Sequence, residues 1–231
     1  MLPMIMRARG KLSYKTKIIA TSPILYMPMD EIAGATAINY GTLGTAANGT
    51  YTGVTLADAA APGGGLCPYF DSTDLLNILT DTLVANIDPE LGTFAIWVKL
   101  SSPATWTDST PRQVLMFDFD NTGKHIYINK IPDYMVRSDY TNSGDAHNFD
   151  YDPNTYNWLF LASTWSIAAD EFIAYKNGTA LGAALTTLVS VAGTLVTAKI
   201  CNAWFGWGAH CAIWDKVLTP TEINALYTGG L

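Results

Sequence analysis

Thr93-Phe94-Ala95-Ile96-Trp97-Val98-Lys99-Leu100 alternates along its length. Phe94, Ile96, Val98 and Leu100 fall on one face of an extended chain and Trp97 on the other, because successive strand side chains point to opposite sides. A strand covered on both faces is expected. Outward from it, further short strands read at Ile24 to Glu31, Pro68 to Asp71, Leu75 to Leu79, Val114 to Phe119, His125 to Ile128, Tyr134 to Ser138, Trp158 to Trp165, Glu171 to Lys176 and Trp204 to Trp214. Pro28 confines the first of these to an edge or an end. Turn chemistry separates them: Asn48-Gly49, Pro62-Gly63-Gly64-Gly65, and Asn177-Gly178, the last a two-residue hairpin turn that needs positive φ twice.

Composition agrees with that pattern. The 231 residues are 49% hydrophobic and only 14% charged, which excludes a disordered chain, and the supply of Val, Ile, Tyr, Phe and Trp suits strands. One helix is expected near the end, where Thr219 caps, Pro220 takes the first helical position, Glu222 completes a capping box and Gly229 follows. Many short strands with frequent turns predict an all-β fold, a two-sheet antiparallel β-sandwich of jelly-roll type with one short C-terminal helix. The expected organisation is an extended basic N-terminal arm over 1–22 and a single domain over 23–231.

Charge is divided unevenly. Arg7, Arg9, Lys11, Lys15 and Lys17 are the only charged residues before Asp30, and removing them from the total of 13 basic and 20 acidic residues leaves 8 − 20 = −12. An acidic body lacks the clustered Lys and Arg of a nucleic-acid groove, so no nucleic-acid partner is expected. The basic arm is the expected partner-binding segment. No apolar run reaches the roughly 20 residues of a membrane helix, and the start lacks the pattern of a secretory signal, so neither membrane insertion nor export is expected. Cys67, Cys201 and Cys211 are an odd set without metal-site spacing, and reduced thiols are expected.

Several segments occur together in an order that resembles the concanavalin A-like lectin/glucanase superfamily, in its laminin-G-like, pentraxin-like jelly-roll branch. They are Tyr26-Met27-Pro28-Met29-Asp30-Glu31, Phe70-Asp71, Gly92 to Lys99, Trp158-Leu159-Phe160-Leu161-Ala162, Phe172 to Gly178, and the closing stretch from Phe205 through Ala212-Ile213-Trp214-Asp215 to Tyr227. The resemblance covers Ile24 to Tyr227. It implies the sandwich, and it implies calcium as a cofactor held by rim carboxylates, with Asp71 and Asp74 as the candidate ligands. Domains similar to this one occur in tailed-phage virions.

Chemistry is sparse. The acid-rich strand of retaining glucanases has no counterpart; Asp118-Phe119-Asp120 lacks the second Glu and runs into a turn. Neither a Gly-x-Ser-x-Gly elbow nor a Lys-Ser/Thr phosphate loop is present. No catalytic residue is therefore assigned, and an enzyme is not expected. Glycan binding needs aromatic rings beside hydroxyl-binding polar groups, and Trp106, Tyr140, Asn142, His147 and Tyr151 are the candidates.

These readings combine into a non-enzymatic virion structural protein of a tailed phage: a capsid decoration, head fibre or tail appendage. The arm would hold other virion proteins, and the lectin-like domain would stabilise the particle or bind host surface glycan. The expected location is the virion surface, after assembly in the host cytoplasm, and a homo-oligomer is expected. The alternatives are a free-standing carbohydrate-binding lectin or adhesin module and, further off, a divergent glycoside hydrolase.

Overall fold

The computed structural model describes residues 13–120, 123–132, 135–153 and 157–231. In chain order the elements are α1 (Tyr14–Ile19), β1 (Leu25–Met27), β2 (Thr36–Ala37), β3 (Gly49–Thr52), β4 (Thr55–Ala60), β5 (Leu66–Phe70), β6 (Leu75–Asn77), α2 (Asp81–Asn86), β7 (Leu91–Leu100) and α3 (Pro103–Thr107). Then follow β8 (Arg112–Phe119), β9 (Lys124–Lys130), β10 (Val136–Asn142), β11 (Asp145–Tyr151), β12 (Leu159–Ser166), β13 (Glu171–Lys176), β14 (Thr179–Ala180), β15 (Leu195–Ile200), β16 (Gly206–Trp214) and α4 (Pro220–Gly229).

The strands form two antiparallel sheets of eight. The first runs β14-β13-β12-β7-β16-β5-β4, with β1 also paired to β16; the second runs β11-β10-β9-β8-β15-β6-β3-β2. The octet read first lies in β7, in the middle of the first sheet between β12 and β16. Its Phe94, Ile96, Val98 and Leu100 enter the core between the sheets, where they meet Phe117, Phe119, Ile126 and Ile128 of the second sheet. Trp97 points the other way into a second apolar layer with Phe160, Trp214, Ile223 and Leu226, closed by α4. Each buried aromatic removes on the order of 150–250 Å² from water, so these two layers are the main apolar holding force.

The expected hairpin and terminal helix form as read. Asn177 and Gly178 hold φ of +50 and +77 between paired Lys176 and Thr179. Thr219 and Glu222 make the reciprocal capping box of α4.

Three expectations are corrected. Residues 13–22 of the supposed extended arm are not extended. Ser13 accepts from the Thr16 amide to start α1, and Tyr14 and Ile18, four residues apart and so on one helix face, are buried in the second apolar layer. The Trp97 indole donates to the Tyr14 hydroxyl at 2.9 Å and the Trp214 indole to Thr21 Oγ1 at 2.9 Å. A Cβ on Gly63 would sit 2.3 Å from the Tyr14 ring, so glycine there makes room for the helix. Second, the strand expected to end at Ser138 continues to Asn142 and reverses into a further strand, making the regular hairpin of β10 and β11. Third, the C-terminal helix is joined by three shorter ones, α1, α2 and α3, each with a side-chain N-cap.

Candidate functional site

The inner face of the second sheet belongs to the core, and its outer face is polar. The period of two makes the assignment. In β9, Ile126, Ile128 and Lys130 point inward, which leaves His125, Tyr127 and Asn129 outside. In β10, Val136, Ser138 and Tyr140 point to the inner face and Arg137, Asp139 and Thr141 to the outer face, where Asp139 and Thr141 are themselves buried; in β11, Asn148 and Asp150 share the outer face. Register then aligns Asn148, Asp139, Tyr127, Met116, Lys199 and Asn77 in one row across six neighbouring strands.

At the middle of this face Tyr127 and His125 stack with ring centroids 4.0 Å apart and planes 20° from parallel. Two carboxylates hold the rings from opposite sides. The Tyr127 hydroxyl donates to Asp118 of β8, and His125 Nε2 lies 3.1 Å from Asp139 Oδ2 of β10. Thr141 Oγ1 donates to the other Asp139 oxygen at 2.5 Å. Burial, and then the negative charge of Asp118, push the Tyr127 phenol far above its ordinary value, so it stays a neutral donor at any ordinary pH. Arg137 grips Asp150 with two 2.6 Å bonds one strand away. The Oδ1 atoms of Asn129 and Asn148 are buried without a hydrogen-bond partner. The ensemble is an ordered aromatic stack rimmed by carboxylate, amide and hydroxyl groups, which is chemistry for holding polyhydroxylated molecules.

The residues chosen from the sequence lie close to this face but mostly not on it. Tyr140 and Tyr151 point into the inter-sheet core. Asn142 Nδ2 donates to Ser190 O at 2.6 Å, and His147 Nε2 lies 3.0 Å from Thr186 O, so both tie the 186–190 loop to the inner side of the hairpin. Trp106 is on α3, 4% exposed and edge-on to Trp204. Of these five, Trp106, Tyr140 and Tyr151 are buried; stepping one residue from Tyr140 to Asp139 or Thr141, and from His147 to Asn148, reaches the outer face of the hairpin. His125 and Tyr127 were missed although the signal was present, since Ile126 and Ile128 alternate with them.

Asp71 and Asp74 sit in one turn. Asp71 Oδ1 accepts from the Thr73 amide at 3.1 Å and Asp74 Oδ2 from the Asp71 amide at 2.8 Å, an Asx-type closure. Among the described residues no cluster of three His, Cys, Asp or Glu side chains has metal-site geometry. Of the basic leader, Lys15 lies 3.6 Å from Asp30 and 3.4 Å over the Tyr40 ring, and Lys17 packs near Gly229. Arg7, Arg9 and Lys11 lie outside the described residues. Asp120 of the Asp118-Phe119-Asp120 run is in a turn, accepting from the Thr194 amide at 2.6 Å, and shares no site with Asp118. The three cysteines are free and buried, and burial pushes the Cys67 thiol up to about 12, so none is a ready nucleophile.

The sequence matches no protein-family model and no curated protein. Solved structures share the fold. The binding domain of botulinum neurotoxin serotype D superposes with a TM-score of 0.66 at 15% identity, over 90% of this chain and 51% of that one. A serotype D ligand binding domain in complex with N-acetylneuraminic acid gives 0.62 at 14% identity, over 90% and 51%. Domain 4 of AbnA, a GH43 extracellular arabinanase from Geobacillus stearothermophilus, in complex with arabinotriose, gives 0.65 at 16% identity, over 89% of this chain and 98% of that domain. The chain thus spans about half the length of the neurotoxin domains and nearly all of the arabinanase one. At these identities the likeness establishes the jelly-roll sandwich.

Proposed function

We propose that this chain is a non-enzymatic, lectin-like module that binds glycan on the outer face of its second sheet. The observation that carries the reading is the Tyr127–His125 stack, fixed by Asp118 and Asp139 and bordered by Thr141 and Asn148. A ring held in place before binding offers an apolar surface to the C–H face of a sugar with little loss of side-chain freedom. The neighbouring carboxylate, amide and hydroxyl groups suit the sugar's hydroxyls. Two proteins that share the fold are described in complex with saccharides, N-acetylneuraminic acid and arabinotriose, which supports the same ligand class here. A glycan array probed with the native chain and with Tyr127→Ala tests this: native binding that the variant loses is expected. Equal binding by both would remove the site from the account.

Within this reading, the location on a tailed-phage virion rests on the basic leader and the sequence resemblance. Lys15 and Lys17 belong to a helix committed to the sandwich, so attachment to other virion proteins would fall to Arg7, Arg9 and Lys11. Removing residues 1–12 should abolish incorporation into particles while glycan binding persists. Incorporation that survives the deletion would leave the free-standing lectin reading in its place.

A further inference from the structure

The two sheet paths end in β14, β4, β11 and β2. β14 and β2 have two residues each, too few to template another strand. β4 has six, but its pairing with β5 slips between Thr55 and Ala59, and Ala57 holds a φ of +54. Those are common protections of an edge: shortness and irregularity. β11 has neither. It pairs with β10 through all seven residues without a shift, contains no proline or lysine, and among the described residues no backbone hydrogen bond occupies its far edge. Its two acidic residues do not close it, because Asp150 is neutralised by Arg137 and Asp145 stands at the strand's beginning.

We propose that β11 pairs antiparallel with β11 of a second copy about a two-fold axis through Asn148, joining two second sheets into one of sixteen strands. The occupant is argued from self-complementarity, which an isologous contact requires. In this register Asn148 faces Asn148, His147 faces Phe149, Ala146 faces Asp150, and Asp145 faces Tyr151. No two carboxylates oppose each other in this register. The outer faces then become continuous. The β9 strands of the two copies are five strand spacings apart, so the two Tyr127–His125 stacks stand about 24 Å apart on one surface. That geometry suits two sites on one branched or repeating glycan, although the dimer stands independently of glycan binding.

The test is solution mass together with cross-linking of the full chain. Sedimentation at about 100 µM is expected to give twice the 25.0 kDa chain mass. Oxidised Asn148→Cys is expected to form a covalent dimer, with little background because the native cysteines are buried. Ala146→Cys, whose copies lie four residues apart across the axis, about 13 Å, is expected not to. Ala146→Asp would set carboxylates opposite Asp150 twice and weaken the dimer at least tenfold, whereas Ala146→Lys would not weaken it. A monomer at that concentration would leave the edge to an extended segment of another protein and overturn the proposal. A dimer that fails to cross-link through Asn148→Cys, or that responds alike to Asp and Lys at 146, would overturn the register.

Discussion

Acid should loosen the packing of α1 through one histidine. His210 lies beneath the helix, 5% exposed, with the Tyr14 ring edge-on at a centroid distance of 4.8 Å. Its Nε2 is 2.8 Å from the Pro62 carbonyl, which can only accept, so this nitrogen carries the proton. Nδ1 then accepts from the Tyr26 hydroxyl at 2.8 Å, and the ring is neutral. Burial lowers its pKa from 6.5 to about 4, with the Pro62 contact and Asp30 pulling upward and Lys15 downward. Since the folded pKa lies below the unfolded one, the unfolded chain takes up more protons in this window, and stability falls as pH drops through it. At 1.36 kcal/mol per unit the full cost approaches about 3.4 kcal/mol below pH 4, and between pH 7 and pH 5 it is about 2 kcal/mol. Urea unfolding of the native chain and of His210→Gln at both pH values isolates this contribution, because carboxylates titrate alike in the two proteins. The native chain should lose about 2 kcal/mol more than the variant over that interval. Parallel losses would refute the burial argument.

Other perturbations probe other parts of the packing. Asp108→Asn should destabilise by about 1.5–3 kcal/mol in thermal unfolding, because Asp108 holds Arg112 through 2.6 Å bonds and the fully buried Lys130 at 2.7 Å, and without its charge both cations keep only neutral acceptors. The same contacts hold the Asp108 carboxyl well below the usual range, Arg112 contributing most, so its stabilisation persists into moderate acid and fades only at strongly acidic pH. Deleting residues 1–22 removes buried Tyr14 and Ile18 and should cost at least about 3–6 kcal/mol by transfer energies, read as a drop in the melting temperature.

Much of the fold was legible because it depends on alternation and on turn residues with one physical solution. The β7 octet could only be a doubly covered strand, Asn177-Gly178 could only be a tight reversal, and Thr219 with Glu222 could only begin a helix. What was misread depends on tertiary context. Ser13-Tyr14-x-x-x-Ile18 is too short and too basic to stand out as a helix, and it exists because Trp97, Trp214 and His210 present a surface to fill. The β10–β11 hairpin was hidden because its inward positions are occupied by Ser138, Tyr140, Asn142 and His147, polar residues of which the last three bond to the 186–191 loop from far along the chain. Once that loop is in place, its coverage makes one face of the hairpin interior and leaves the other for function. No local spacing conveys which face is covered.

Backbone amide chemical shifts followed during titration with an array-selected oligosaccharide bear most directly on the assignment of the sugar site. The largest changes should map to 116–118, 125–129 and 137–141, and Asp139→Asn should weaken binding about tenfold, the equivalent of one charge-assisted hydrogen bond. Changes centred instead on the Tyr69, Phe205 and Trp207 cluster of the first sheet, with affinity indifferent to Asp139, would contradict it.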